Sequence, residues 1–422
     1  MEFTQHNLHN LHNKTPRITP LIYTDLDYEM ISFLQKYIQV DTSQPTPDYA
    51  SAIAFLANQA AQDDMEYQVI TLPSGNPVFV VTYRGTDPSL PALALNHHID
   101  VVSATNIDRW QYRPFSGEIA NGNLYGRGSS DIKGLGAVHY FALRELRDIG
   151  CALRRTVHLL MVPDEEVGGE FGAQEFVKTS EFADLNIGYV LDETEGSGEL
   201  QALCVTVDEK KVFQIKFIHY GHLAHGSYIH VENVIHDMVR LLVKIADFQN
   251  VQKLNLHSQP IGDLTSMNIT SIKAGVFSDG EAACNIIPDE VSAIVDIRIP
   301  PQMPIQVVRD YLDTLLKEFP RITYVLCAPV HERAPYNIDY EQSALWRALA
   351  AVAEKYQYLL HARVLCGATD LRYYLTSDGI QGFGFVPFMS KGNAHTTDEF
   401  IPLDELVEGR KIMRDLIVEF CH

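Results

Sequence analysis

The sequence predicts an α/β protein with a smaller α+β unit inserted into it. Between residues 67 and 191, short apolar runs alternate with stretches of helical periodicity. That order builds a mixed, mostly parallel sheet covered by helices. Between 212 and 326 the order changes to strand, helix, strand, strand, helix, strand. From 342 the first pattern returns, so the larger domain is expected to be discontinuous.

In chain order, 28–40 carries Ile31, Leu34, Tyr37 and Ile38 at helical spacing, and 50–62 repeats the pattern. β-rich runs follow at 67–72, 77–83 and 90–97. A helix is expected from Lys133 to about Arg147, an apolar strand over 156–162, a helix over 171–178 and a strand over 187–191. The insert takes strands at 212–217, 267–272, 291–298 and 322–326, with helices over 231–248 and 305–316. This is the ferredoxin-like split unit. A helix over 342–356, strands at 363–366 and 382–386, and an amphipathic helix over 403–420 complete the larger domain. The implied divisions are a tail over 1–26, one domain from 27–209 and 329–422, and an insert over 210–328.

Composition narrows the function. A length of 422 residues suits two domains, and a hydrophobic share of 46% fills a core. Lys and Arg number 33 against 54 Asp and Glu, a net charge of −21. Such a surface repels nucleic acid and anionic membrane, which leaves a small-molecule or peptide substrate. The six cysteines are scattered with no C-x-x-C pair, as expected of reduced thiols in a cytoplasmic protein. The first twenty residues lack the apolar stretch of a signal peptide, and no apolar run reaches bilayer length.

Five short segments carry the chemistry. His98 ends an apolar run, with Asp100 two residues on; alone, it reads more readily as a structural histidine than as a ligand. Asp131 follows the glycine-rich stretch 126–130 and reads equally as a helix N-cap or a functional carboxylate. Glu165 and Glu166 end another apolar strand, where adjacent carboxylates are costly without a positive charge between them. Glu193 follows a third strand, and His395 and Glu399 lie in a loop before the last helix. Each of these alone reads as an ordinary acidic turn. Together, the loops of one α/β unit gather at the carboxyl edge of its sheet. Histidine and carboxylate without thiolate then suit a catalytic zinc pair.

The combined pattern resembles the aminoacylase family of di-zinc amidohydrolases, whose relatives include glutamate carboxypeptidases and succinyl-diaminopimelate desuccinylase. The stretch MVPDEEVGGEFG at 161–172, LDE at 191–193 and ATDLRYY at 368–374 carry the likeness to aminoacylases themselves. The resemblance runs from about Asp27 onward. It implies a zinc-exopeptidase-like catalytic domain and a lid that forms a homodimer. Two Zn2+ per subunit are implied, with Mn2+ or Co2+ as substitutes. His98, Asp131 and Glu193 would hold one ion, and Asp131, Glu166 and His395 the other. Asp100 would orient His98, a cis peptide would follow Asp131, and Glu165 would be the general base toward a water shared by the ions. The lid's His225 would reach the partner's site. Asn285 and Arg298 would bind the substrate carboxylate, and Gly367 and Thr369 would contact substrate. Read without the resemblance, Asn285 is a turn residue, Arg298 a surface ion pair and His225 an exposed loop histidine.

The implied reaction is hydrolysis of N-acyl-L-amino acids to a carboxylate and a free amino acid. The alternative is a dipeptidase or carboxypeptidase with the same ions. A silent binding protein on this scaffold would lack Glu165 or a ligand, and all are present. Three departures from the family pattern bear on specificity: Ser103 and His230, where prolines are usual, and the loop 194–198.

Overall fold

The computed structural model describes residues 21–422 except 230, 279, 329, 331, 332, 334, 337, 338, 377 and 378. His230 and the expected tail as far as residue 20 lie outside the described residues.

The first helix, Asp25–Gln39, starts at Thr24, whose hydroxyl and amide both face the Asp27 carboxylate in a capping box. It buries Met30, Leu34, Tyr37 and Ile38 and packs on the helix Lys133–Asp148. The central sheet has eight strands. Their order is Glu66–Thr71, Pro77–Tyr83, Val157–Val162, Ala92–His98, Ile187–Asp192, Gln381–Phe385, Ala202–Glu209 and Leu359–Leu365. Four of the seven pairings are parallel and three antiparallel. The sheet is therefore mixed, with its parallel part at the centre. Ala92–His98 and Val157–Val162 are buried throughout, as continuous apolar strands covered on both faces should be. These two and Ile187–Asp192 lie side by side and parallel. Whatever follows their last residues is delivered to one edge of the sheet.

The segment 211–326 forms a second sheet, ordered Ser266–Ala274, Glu290–Ile299, Lys211–Tyr220, Ile322–Leu326, with every pairing antiparallel. Phe213, Ile215 and Phe217 alternate inward along one strand. They meet Met238, Leu241 and Ile245 of the helix Val234–Asn255 and Leu312 of the helix Ile305–Leu316 in a hydrophobic cluster of their own.

Two expectations need correction. The helix expected over 171–178 spans only Ala173–Phe176, because Thr179 caps a new helix, Ser180–Asp184, through the Phe182 amide. The buried strand Ala202–Glu209 is unforeseen. It carries Thr206, Asp208 and Glu209 inside the protein, and its sequence passes straight into Lys211–Tyr220.

Candidate metal centre

His98, Glu165, Glu166 and Glu193 follow or end the three central parallel strands, and the loops carrying Asp131 and His395 close over that edge. Two groups of side chains result: His98, Asp131 and Glu193, and Asp131, Glu166 and His395. Within each, one ligand atom per residue lies within 4.8 Å of the others. Asp131 belongs to both. One of its oxygens is 3.2 Å from His98 Nε2 and the other 2.9 Å from His395 Nε2. Glu193 stands 3.4 Å from His98 Nε2, Glu166 3.1 Å from His395 Nε2, and Glu165 4.0 Å from His98 Nε2. All six residues expected around the ions are thus brought together.

Asp100 meets His98 through its main chain rather than closely through its carboxylate. His98 Nδ1 is 2.7 Å from the Asp100 main-chain carbonyl and 3.8 Å from its carboxylate. The carboxylate instead accepts the amide N–H groups of Glu165 (3.1 Å) and Glu166 (3.2 Å) and the Gln44 amide (2.7 Å). The Asp131 loop has a matching anchor that sequence reasoning saw only as part of an acidic turn. Buried Glu399 accepts the N–H groups of Gly128, Ser130 and Asp131 at 3.0, 3.0 and 3.1 Å. Gly128 has φ +89°, and a Cβ there would lie 2.7 Å from Val101, so the loop needs glycine twice over. The Asp131–Ile132 peptide is cis.

The donors fit divalent cations. With Nδ1–H given to the Asp100 carbonyl, a neutral His98 turns a bare Nε2 lone pair toward three carboxylates. That arrangement is repulsive unless a positive charge lies between them. The titration shifts agree. Burial, then the Glu193 charge, pushes Glu165 well above the ordinary carboxylate range. Burial raises Glu193 to about 8. Hydrogen bonds to Asp131 and then Glu166 raise His395 to about 10. Burial would lower His98, but the charge of Glu193 and the hydrogen bond to Asp131 outweigh it and hold the imidazole well above its usual value. The cluster is short of positive charge, and nitrogen and oxygen donors of this kind suit zinc.

A pocket beside the cluster is lined by Asp131, Glu165, Glu193, Gly367, Thr369 and apolar side chains such as Val386 and Phe388. His225, Asn285 and Arg298 are not among its lining residues. His225 is exposed, with Nδ1 2.8 Å from the Ser227 hydroxyl. Its strand pairs with Ile286–Ile287, and the Asn285 carbonyl takes the Gly226 N–H at 2.6 Å, so the insert brings His225 and Asn285 together. Arg298 pairs with Asp296 at 2.9 Å. Thr369, expected to offer its hydroxyl to substrate, directs it inward to Glu209 (2.6 Å) and Asp192 (3.1 Å). Sequence reasoning saw Asp192 only as part of an acidic turn and missed Glu209, because their shared partner Thr369 lies far along the chain.

The sequence model of peptidase family M20/M25/M40 matches residues 94–419. The chain is 30% identical over 365 residues to aminoacylase-1 of Sus scrofa, covering 86% of this chain and 87% of that protein. It is 30% identical over 404 residues to aminoacylase-1 of Dictyostelium discoideum, covering 92% and 97%. Among solved structures, an M20 family metallo-carboxypeptidase from Sulfolobus solfataricus superposes with a TM-score of 0.71 at 17% identity, covering 94% of this chain and 99% of that one. Human carnosine dipeptidase 1 superposes at 0.69 with 16% identity, covering 94% and 96%. These two show a shared fold. By the extent of the family match and of the likeness to aminoacylase-1, the chain belongs to peptidase family M20/M25/M40.

Proposed function

We propose that this protein is a two-metal amidohydrolase that splits N-acyl-L-amino acids into a carboxylate and a free amino acid. The carrying observation is Asp131, shared between two ligand groups beside Glu165, in a chain 30% identical to aminoacylase-1. His98, Asp131 and Glu193 hold one ion in this reading, and Asp131, Glu166 and His395 the other. Zinc is the proposed metal, and manganese or cobalt suits the same donors. Ions held there would supply a lowered pKa for water and polarisation of the amide carbonyl. Glu165 takes the water's proton on its carboxylate and returns it to the leaving nitrogen. Arg298 and Asn285 bind the carboxylate of the amino-acid half.

The catalytic part spans 27–209 and 329–422, with the lid at 210–328. The lid pairs with its twin in a homodimer, so that the partner subunit's His225 completes each site. Val239 and Val243, exposed one turn apart on the helix Val234–Asn255, support a further contact for that face. No helix among the described residues is long and apolar enough to cross a membrane. Six free thiols support a cytoplasmic location.

The test is a hydrolysis screen of zinc-loaded protein on N-acetyl amino acids, their amides and dipeptides. Free-carboxylate N-acetyl amino acids are expected to turn over fastest. Hydrolysis of dipeptides alone would replace this reading with a dipeptidase, and hydrolysis of none would end it.

A further inference from the structure

Behind Glu193 lies a buried polar network that the proposed chemistry does not use. Thr369 is its centre. Its amide N–H and its hydroxyl both reach Glu209 Oε1, at 2.9 and 2.6 Å. The same hydroxyl is 3.1 Å from Asp192 Oδ2 and accepts the Leu371 N–H at 3.2 Å. Asp192 Oδ1 in turn accepts the amide N–H of Glu193 at 2.8 Å and the Asn96 side-chain amide at 2.8 Å. Asn96 is then fixed by the Tyr374 hydroxyl at 2.9 Å. An unbroken chain of contacts therefore runs from Glu209 through Thr369 and Asp192 to the main chain of Glu193.

Carrying a carboxylate into this interior has a desolvation cost, and burial raises Glu209 to about 7. A hydrophobic residue would fill the place without that cost, so the oxygen has a use. Its position suggests which. Glu209 is the last residue of the strand Ala202–Glu209, where the chain leaves for the insert. The neighbouring Asp208 receives the returning chain, with Arg333 at 2.8 Å and the Tyr336 N–H at 2.9 Å. One strand end thus clasps the connection to the lid with Asp208 and, with Glu209, the wall of the pocket.

We propose that Glu209 is a positioning residue: through Thr369 and Asp192 it fixes the backbone that presents Glu193, and thereby sets how well the ion on His98, Asp131 and Glu193 is held. This rests on the reading of Glu193 as a metal ligand. Residues that orient metal ligands from behind typically control affinity or activity by about 10–100-fold.

The test uses full-length E209L, E209Q, T369V and the E209L/T369V double variant, with zinc affinity measured by chelator competition, kcat and KM on an N-acetyl amino acid, and thermal melting. E209L and T369V should each weaken one of the two ions by about 10–100-fold and lower kcat more than they raise KM. E209Q, which keeps an acceptor oxygen for Thr369, should restore most of both. The double variant should be no worse than the poorer single one, because both break the same link. Wild-type zinc affinity in E209L, effects that multiply in the double variant, or E209Q as impaired as E209L would each overturn the proposal. If E209L does not fold, T369V, which lacks only a hydroxyl, carries the same test. The affinity measurement does not depend on substrate, so failure of the proposed amidohydrolase reaction is read separately from failure of Glu209.

Discussion

Arg127 and Glu399, 272 residues apart in sequence, meet as an ion pair at 2.5 Å with side chains only 3% and 0% exposed. The other Glu399 oxygen collects the loop amides that end at Asp131. One carboxylate thus ties the segment before the last helix to the loop that carries Asp131, the residue common to both candidate ligand groups. Glu399→Ala would leave the Arg127 charge buried and unpaired, at a cost of about 3–5 kcal/mol. The expected outcome is a clear drop in the calorimetric melting temperature together with weaker metal binding. An unchanged melting temperature would show that solvent or another group compensates Arg127.

Asp100 predicts a separation of effects. In Asp100→Asn, one of the two carboxylate oxygens becomes an amide that faces the N–H of Glu165 or Glu166, donor against donor. Glu165, the proposed general base, should be misplaced and kcat should fall by about 10–100-fold. The metal should stay, because the Asp100 carbonyl still holds His98. Elemental analysis alongside kinetics checks this, and loss of metal would return the orienting role to the carboxylate.

Asp131→Ala removes the ligand common to both groups. Wild-type protein should bind close to two divalent ions per chain and this variant should lose tight binding of both. Two tightly held ions in Asp131→Ala, measured by elemental analysis after dialysis, would refute the bridge.

Glu165→Gln keeps the shape but cannot take a proton. Turnover should fall by about 10²–10⁴-fold with the metal retained. A near-normal rate in the loaded variant would assign the base elsewhere.

His225 is exposed and absent from the pocket lining of its own chain. If the twin subunit uses it, mixing His225→Ala with Glu165→Ala after dissociation should restore activity. In a mixed dimer, one site has both residues and the other neither. Half the dimers are mixed, so recovery should approach roughly a quarter of wild type. No recovery with subunit exchange verified would confine His225 to its own chain.

The sheet was legible in the sequence because it follows from periodicity, whereas the candidate ligand set was legible only through the combined family pattern. Apolar strands announce themselves, and His98, Glu165, Glu166 and Glu193 stand at or just past their ends. What could not be read depends on distant partners. Ala202–Glu209 ends in a Thr-Val-Asp-Glu stretch, and partners more than a hundred residues later, among them Thr369, Arg333, Tyr336 and the Arg372 charge, make its Asp208 and Glu209 tolerable inside. The two roles of Asp100 were hidden for a related reason. A sequence names a side chain, but the carbonyl that holds His98 belongs to the backbone.

The sheet order also constrains the birth of the molecule. Gln381–Phe385 lies between Ile187–Asp192 and Ala202–Glu209, so the five strands at the amino-terminal side end in an open parallel edge until nearly the whole chain has been made. The insert is complete much earlier, since its last strand ends at Leu326. During synthesis the insert can therefore assemble on its own hydrophobic cluster while the larger sheet waits with a bare edge. That waiting edge is a row of unpaired backbone groups of the kind that invites pairing with another chain.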